Sequence, residues 1–371
     1  MTQFVRILSI DGGGIRGVLP AQLLMNVERR LRELSGRPDA CIADFFDFFA
    51  GTSTGGVLTA LCLTPHPDNP DRPKYNAEAV RQTYEKAGNL VFNGNLWKLL
   101  RTGGGFLNRK FDATELENAF AEYFGDTRLK ALLKPCLVTA YDIQRGRPHF
   151  FCQHWAHTQP GNDFYVRDLA RATSAAPTFF EVAMTRNERG EEFPLIDGGV
   201  YANDPALCAY TEVRSLHRHV APSRILLLSI GTGSIPVSLR YEAARSFGIV
   251  HWLGPLPNIM VSGVSATVQV HLSKLFDAAG CPDQYLRINP AIGGGSLPTP
   301  DMDDTREENI AALRDLADRT FAEAGPELDM FLRRLVRSEL PVGKTVTNLP
   351  GMMRSWWRAR RAEKTGNVGC E

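Results

Sequence analysis

The sequence predicts a three-layer α/β fold, a mostly parallel central sheet with helices on both faces. Three observations carry this. Apolar runs of strand length alternate with stretches of helical periodicity. Several of those runs end in glycine-rich turns. Runs such as Leu226-Leu227-Leu228 are apolar at every position, as strands covered on both faces must be.

The elements follow in order. Val5–Ile10 reads as a buried strand that ends at Asp11-Gly12-Gly13-Gly14-Ile15-Arg16-Gly17. A helix follows, with Pro20 near its first turn and Leu23, Leu24, Val27, Leu31 and Leu34 at helical spacing. Phe45–Ala50 is a second apolar run. It breaks at Gly51-Thr52-Ser53-Thr54-Gly55-Gly56 and resumes as a helix through Val57, Leu58 and Leu61. Pro65–Pro73 holds four prolines and reads as a loop, and Leu90–Phe106 as irregular. Cys136–Tyr141 and Pro148–Cys152 are strands joined by a turn around Gly146. Phe193–Ile196 is a short strand ending at Asp197-Gly198-Gly199, and Arg224–Ile230 a core strand ending at Gly231-Thr232-Gly233.

With 371 residues, the chain has room for one large α/β domain. Its 42 basic and 41 acidic residues leave a net charge of +1, so no global field points to a nucleic acid polymer. The charge is uneven. From Arg333 onward there are nine Lys/Arg and three Asp/Glu, which divides the chain into a body, 1–332, and a basic extension, 333–371. The seven cysteines are scattered without a C-x-x-C pair, which argues for reduced thiols rather than disulfides or a zinc site. No signal-peptide pattern precedes the first strand and no apolar stretch approaches about 18 residues. The expected location is cytoplasmic.

Gly51-x-Ser53-x-Gly55 is the strongest local signal. A serine in a sharp strand-to-helix turn has its hydroxyl exposed at the carboxyl end of the sheet. The helix behind it favours developing negative charge. The motif alone recurs by chance in glycine-rich turns, and its strand–helix context is what points to catalysis. Gly12, Gly13 and Gly14 open another helix, where successive N–H groups suit an oxyanion. Arg16 could meet a phosphate or support that oxyanion. Gly12-x-Gly14-x-x-Gly17 also matches a dinucleotide-binding fingerprint. That reading needs an acid at a strand end about 20 residues on. The nearest, Asp39 and Asp44, precede the Phe45 run, so the oxyanion reading ranks higher. Asp197 ends a strand, is followed by two glycines, and could take the serine proton directly. On turn propensity alone it is an ordinary turn residue. His217, His219, His251 and His271 follow it in the order an α/β-hydrolase triad requires, but none sits in a glycine-rich loop.

Taken together, Asp11 to Gly17, Gly51 to Gly55 and Asp197-Gly198-Gly199 resemble the patatin-like phospholipase family, in order and in strand context. Arg171–Phe180 (RATSAAPTFF), Ile230–Gly233 (IGTG) and Met302-Asp303-Asp304 add to the likeness, which runs from about Val5 to about Leu332 and is nearest the plant-patatin branch. The resemblance implies a Ser53–Asp197 dyad without histidine, an oxyanion hole from Gly12, Gly13 and Gly14, Arg16 as the arginine of the glycine-rich motif, and no metal or cofactor. It implies acyl hydrolysis of membrane glycerolipids through an acyl-enzyme. It also admits a defence-effector variant that takes a cyclic oligonucleotide as activator, although no residue pattern here specifies such a site. Two readings of other classes stand beside it: a nucleotide-binding protein built on Gly12–Gly17, and a non-catalytic lipid-binding or storage protein.

The extension holds Met352, Met353, Trp356 and Trp357 among Arg354, Arg358, Arg360 and Arg361. Basic residues beside tryptophans suit a peripheral contact with an anionic inner-membrane surface, and equally a terminal helix packed on the body. Leu96-Trp97, Phe106 and Phe179-Phe180 are candidate pocket walls, and Arg101–Leu107 a candidate lid.

Overall fold

A computed structural model describes residues 4–93, 113–235, 239–253, 255–293 and 297–338. The pocket-wall and lid candidates between 94 and 112, and the extension from 339, lie outside the described residues.

Eight strands form one sheet: β1 (Val5–Ile10), β2 (Phe48–Thr52), β3 (Cys136–Asp142), β4 (Arg147–Cys152), β5 (Ala183–Arg186), β6 (Glu192–Asp197), β7 (Ile225–Ile230) and β8 (Tyr285–Ile288). Their order is β8-β7-β1-β2-β3-β6-β5, with β4 also paired to β3. The run from β8 to β3 is parallel, and β4, β5 and β6 pair antiparallel.

Both faces of the parallel part are buried, as the uninterrupted apolar runs predict. Leu8, Ile10, Phe49 and Val138 point into one core, and Ile7, Phe48, Ala50 and Leu137 into the other. This is the period of two that puts successive side chains on opposite faces. The first core is roofed by α1 (Val18–Ser35), α2 (Thr54–Leu63), α3 (Ala77–Asn93), α4 (Thr114–Phe124), α5 (Val166–Thr173), α8 (Glu307–Glu323) and α9 (Gly325–Arg337). The second is covered by α6 (Ala206–Leu216) and α7 (Leu256–Ala278) through Tyr210, Val213, Leu272 and Phe276. No helix among the described residues is long and apolar enough to cross a membrane.

The structure differs from the sequence reading in four places. The second strand is Phe48–Thr52, because Ile42–Phe45 forms a helical turn. There the Cys41 N–H donates to Asp44 Oδ2. The proline-rich Pro65–Pro73 is not a plain loop but carries a two-stranded antiparallel ribbon, Pro65–His66 with Asn69–Pro73. Strands β5 and β8 have no counterpart in the prediction. Finally, α9 runs through residue 332 to Arg337 with Leu335 fully buried.

Candidate active site

The carboxyl ends of the parallel strands bring the motifs together. Thr52, the last residue of β2, pairs with Thr139 of β3, and Asp197, the last residue of β6, pairs with the adjacent Ala140. Because β4 occupies the opposite edge of β3 along its whole paired length, β2 and β6 meet head to head on one edge. Ser53 and Asp197 are thereby delivered to the same point, close enough for the Ser53 side chain to draw the Asp197 pKa down.

Ser53 sits at φ 53°, ψ −122°, in the positive-φ region that a non-glycine residue enters only under constraint. Its surroundings supply that constraint. The Ser53 N–H donates to Thr173 Oγ1 at 2.8 Å, and that hydroxyl donates to the Thr139 carbonyl at 2.8 Å. Thr52 Oγ1 donates to the Ala202 carbonyl at 2.6 Å. A Cβ at Gly51 would strike Gly55, and a Cβ at Gly55 would strike the Ile10 carbonyl, so the elbow closes only with glycine at both positions. The side chain of Ser53 remains half-exposed, at the N-terminus of α2.

Asp197 is 5% exposed. Burial pushes its carboxyl up to about 6, against the pull of the nearby Ser53 side chain and of the hydrogen bond from the Gly199 N–H at 2.7 Å. Gly198 is required by closeness to β3, since a Cβ there would meet Thr139. No histidine among the described residues bonds to Ser53 or Asp197. His149 pairs with Ala140 on the other edge of β3, but its ring packs against Phe151, Phe164 and Phe193. Burial holds its pKa down at about 4, which keeps it neutral.

The glycine loop lies against the elbow: a Cβ at Gly12 would stand 3.2 Å from Ser53 Cβ. Its three N–H groups are not equivalent. Gly12 donates to the Asn203 carbonyl at 3.0 Å, which removes it from the oxyanion donors expected from the sequence. The Gly12 carbonyl accepts from Thr232 Oγ1 at 2.6 Å and from Asn203 Nδ2 at 3.3 Å. In a trans peptide the N–H points opposite to the C=O, so the Gly13 N–H is turned away from Thr232. Ile15 donates to the Met302 carbonyl at 2.8 Å, and that carbonyl also crowds Gly14, which holds φ 58°. Met302 thus covers the loop that a dinucleotide pyrophosphate would need. Asp39 is exposed and Asp44 sits in the turn before β2, so neither supplies the acid of that fingerprint.

Arg16 is 2% exposed; its Nε donates to the Gly13 carbonyl at 3.3 Å, and burial lowers its pKa to about 10. It lines a polar cavity of about 110 Å³ between the ends of β1, β7 and β8, walled also by Asp11, Asn203, Thr232, Arg287 and one side of α7. Ser53 is not among its walls. Arg287 forks onto Asp11 at 2.8 and 2.5 Å and lies 3.5 Å from Asp204. Phe180 packs into the core beside Phe179. Among the described residues, Cys152, His154 and Glu212 are grouped closely enough to hold a metal ion. His154 Nε2 and Glu212 Oε1 already hydrogen-bond at 2.8 Å there.

Comparison with known proteins identifies the family. The family model for patatin-like phospholipases matches residues 8–210, which spans the glycine loop, Ser53 and Asp197. The chain is 35% identical to Patatin-like protein 2 of Oryza sativa subsp. indica, over 84% of this chain and 82% of that protein. It belongs to the patatin-like phospholipase family. Patatin-17 of Solanum cardiophyllum is 32% identical over 88% of this chain and 86% of its own length. Among solved structures, VipD from Legionella pneumophila aligns over 85% of this chain and 67% of its own, at 11% identity and a TM-score of 0.34. Membership of this patatin-like family supports lipid acyl hydrolysis.

Proposed function

We propose that this protein is a serine acyl hydrolase that cleaves the acyl esters of membrane glycerolipids with a Ser53–Asp197 dyad. The observation that carries the reading is the delivery of a positive-φ serine and a buried carboxylate to one point by adjacent pairings on β3.

Ser53 Oγ attacks the ester carbonyl while its proton passes to Asp197. The oxyanion that forms meets N–H groups of Gly13 and Gly14 and the positive end of α2. Collapse expels the alcohol, which takes the proton back from Asp197 and leaves Ser53 acylated. Water then gives its proton to Asp197 and attacks the acyl-enzyme, releasing the fatty acid and restoring the serine. A carboxyl pushed up towards neutrality suits a group that must accept and return a proton in each half-reaction. Arg16 acts from behind the loop, through the Gly13 carbonyl, rather than on the ester itself.

The test is incubation of the full chain with mixed phospholipid vesicles and mass spectrometry of released fatty acids and lysolipids. Ser53→Ala and Asp197→Asn should each lose on the order of 10³-fold or more. Undiminished release by Ser53→Ala would end this reading.

A further inference from the structure

We propose that the bare outer side of α7, with the short helix Ile249–Leu253 that precedes it, is the surface through which the protein sits on an anionic lipid bilayer. The choice of occupant rests on the esterase reading above.

The sequence here is unusual for a solvent-facing helix. From Ser246 to Ser273 there are 28 consecutive residues without a formal charge. A surface helix ordinarily turns a charged face to water. Among its described side chains, α7 buries only Val268, Leu272 and Phe276, one stripe against the second core. Leu256, Met260, Val270 and Leu275 are exposed, whereas Ile259, Val261 and Val264 are half-buried and Val261 walls the cavity at the strand ends. Ile249 is 82% exposed and Val250 79%, with Met260 at 55% and Val270 at 49%. Single exposed aliphatics are ordinary, but a continuous uncharged stretch of them marks a contact surface.

Two features select a bilayer as the occupant. The first is position. The inner side of α7 walls the polar cavity at the ends of β1 and β7 through Asn258, Ser262 and Gln269, and Asn203, which also walls it, bonds the glycine loop. The helix therefore lies beside the carboxyl end of the sheet, the end at which Ser53 and Asp197 meet and which, on the esterase reading, approaches a lipid. The second is charge. Between Gly231 and Ala278, the end of α7, the chain carries Arg240, Arg245 and Lys274 against two acids, Glu242 and Asp277. Glu242 lies 3.5 Å from Arg245. An apolar tip with basic neighbours and interfacial aromatics, here Tyr241 and Trp252, is the composition that binds anionic headgroups and inserts between them.

The test uses the full chain carrying Ser53→Ala, so that nothing is hydrolysed, floated with phosphatidylcholine vesicles with and without phosphatidylglycerol. The double variant Ile249→Asp, Val250→Asp should lose about tenfold or more of its vesicle-bound fraction while unfolding at the parent temperature. Arg240→Gln should weaken binding about fivefold on the anionic vesicles only. Three results would overturn the proposal. One is undiminished flotation of the double variant. A second is a dimer of the parent that the double variant converts to monomer, which assigns the face to a second copy. The third is flotation abolished by removing residues 340–371 alone. The two readings fail separately. Flotation that depends on Ile249, in a protein whose Ser53 form cleaves no ester, leaves the surface and removes the esterase. Cleavage of a soluble ester without flotation removes the surface alone.

Discussion

Thr232 holds the glycine loop by its carbonyl: its hydroxyl donates to the Gly12 oxygen at 2.6 Å, from the far end of β7. The same peptide group carries the Gly13 N–H, so this bond sets where the proposed oxyanion donor points. Thr232→Val should therefore lower kcat by roughly 10- to 100-fold with a smaller change in KM, less than the full loss of an oxyanion donor. Equal effects on binding of a ground-state ester analogue and on kcat would contradict a role in orienting the donor.

Activity should rise with pH and level off above a limb at about 6. On the proposed mechanism Asp197 is the base and must be unprotonated to accept the serine proton, and burial pushes its carboxyl up to about 6. A kcat/KM profile on a soluble ester reads this limb directly. A limb near 4, the ordinary carboxylate position, would mean that the carboxyl is hydrated in the working enzyme.

Gly55→Ala should destabilise the fold by about 3 kcal/mol or more and impair turnover, because the added methyl meets the backbone carbonyls of Ile10 and Asp11, which cannot swing aside as a side chain would. Gly36→Ala provides the contrast. Gly36 ends α1 at φ 68° with nothing within 4 Å of an added Cβ. Its cost should stay near 1 kcal/mol, from backbone conformation alone, with turnover kept. Urea unfolding of the two variants measures the difference.

Arg287→Met should cost about 3–5 kcal/mol near neutral pH, by leaving Asp11 and Asp204 buried without their shared cation. Burial already pushes Asp11 up to about 7. A carboxyl whose folded pKa lies above its unfolded value stabilises the fold in acid and loses that contribution as pH rises. The variant should accordingly regain stability between pH 8 and pH 5. Denaturant titrations at the two pH values check the sign.

The parallel core and the elbow were readable because they are local. An apolar run, a G-x-S-x-G turn and a helical repeat each lie within one short segment. What escaped was set by distant partners. Tyr285–Ile288 is a buried strand disguised by Arg287, whose charge is matched by Asp11 on the far side of the sheet sequence. Ala183–Arg186 alternates buried and exposed over four residues, too short to register as a period. The Phe45 run hid its boundary because Phe45 and Phe46 are as buried in the turn before β2 as Phe48 is in the strand. Gly12 looked equivalent to Gly13 and Gly14, and only the fold shows that Asn203 consumes its N–H.

The head-to-head arrival of β2 and β6 on one edge of β3 bears on how the protein acquires activity. Ser53 stands between β2 and α2, both made early in synthesis, whereas Thr173, which accepts its N–H, and Asp197 come from segments made much later. Closing such long-range pairings is the slow part of folding a sheet of this connectivity. On the proposed dyad, a chain whose β6 has not yet paired with β3 carries a serine without its base. On that reading esterolysis should lag the recovery of helical signal during refolding and arrive with the pairing of β6 on β3.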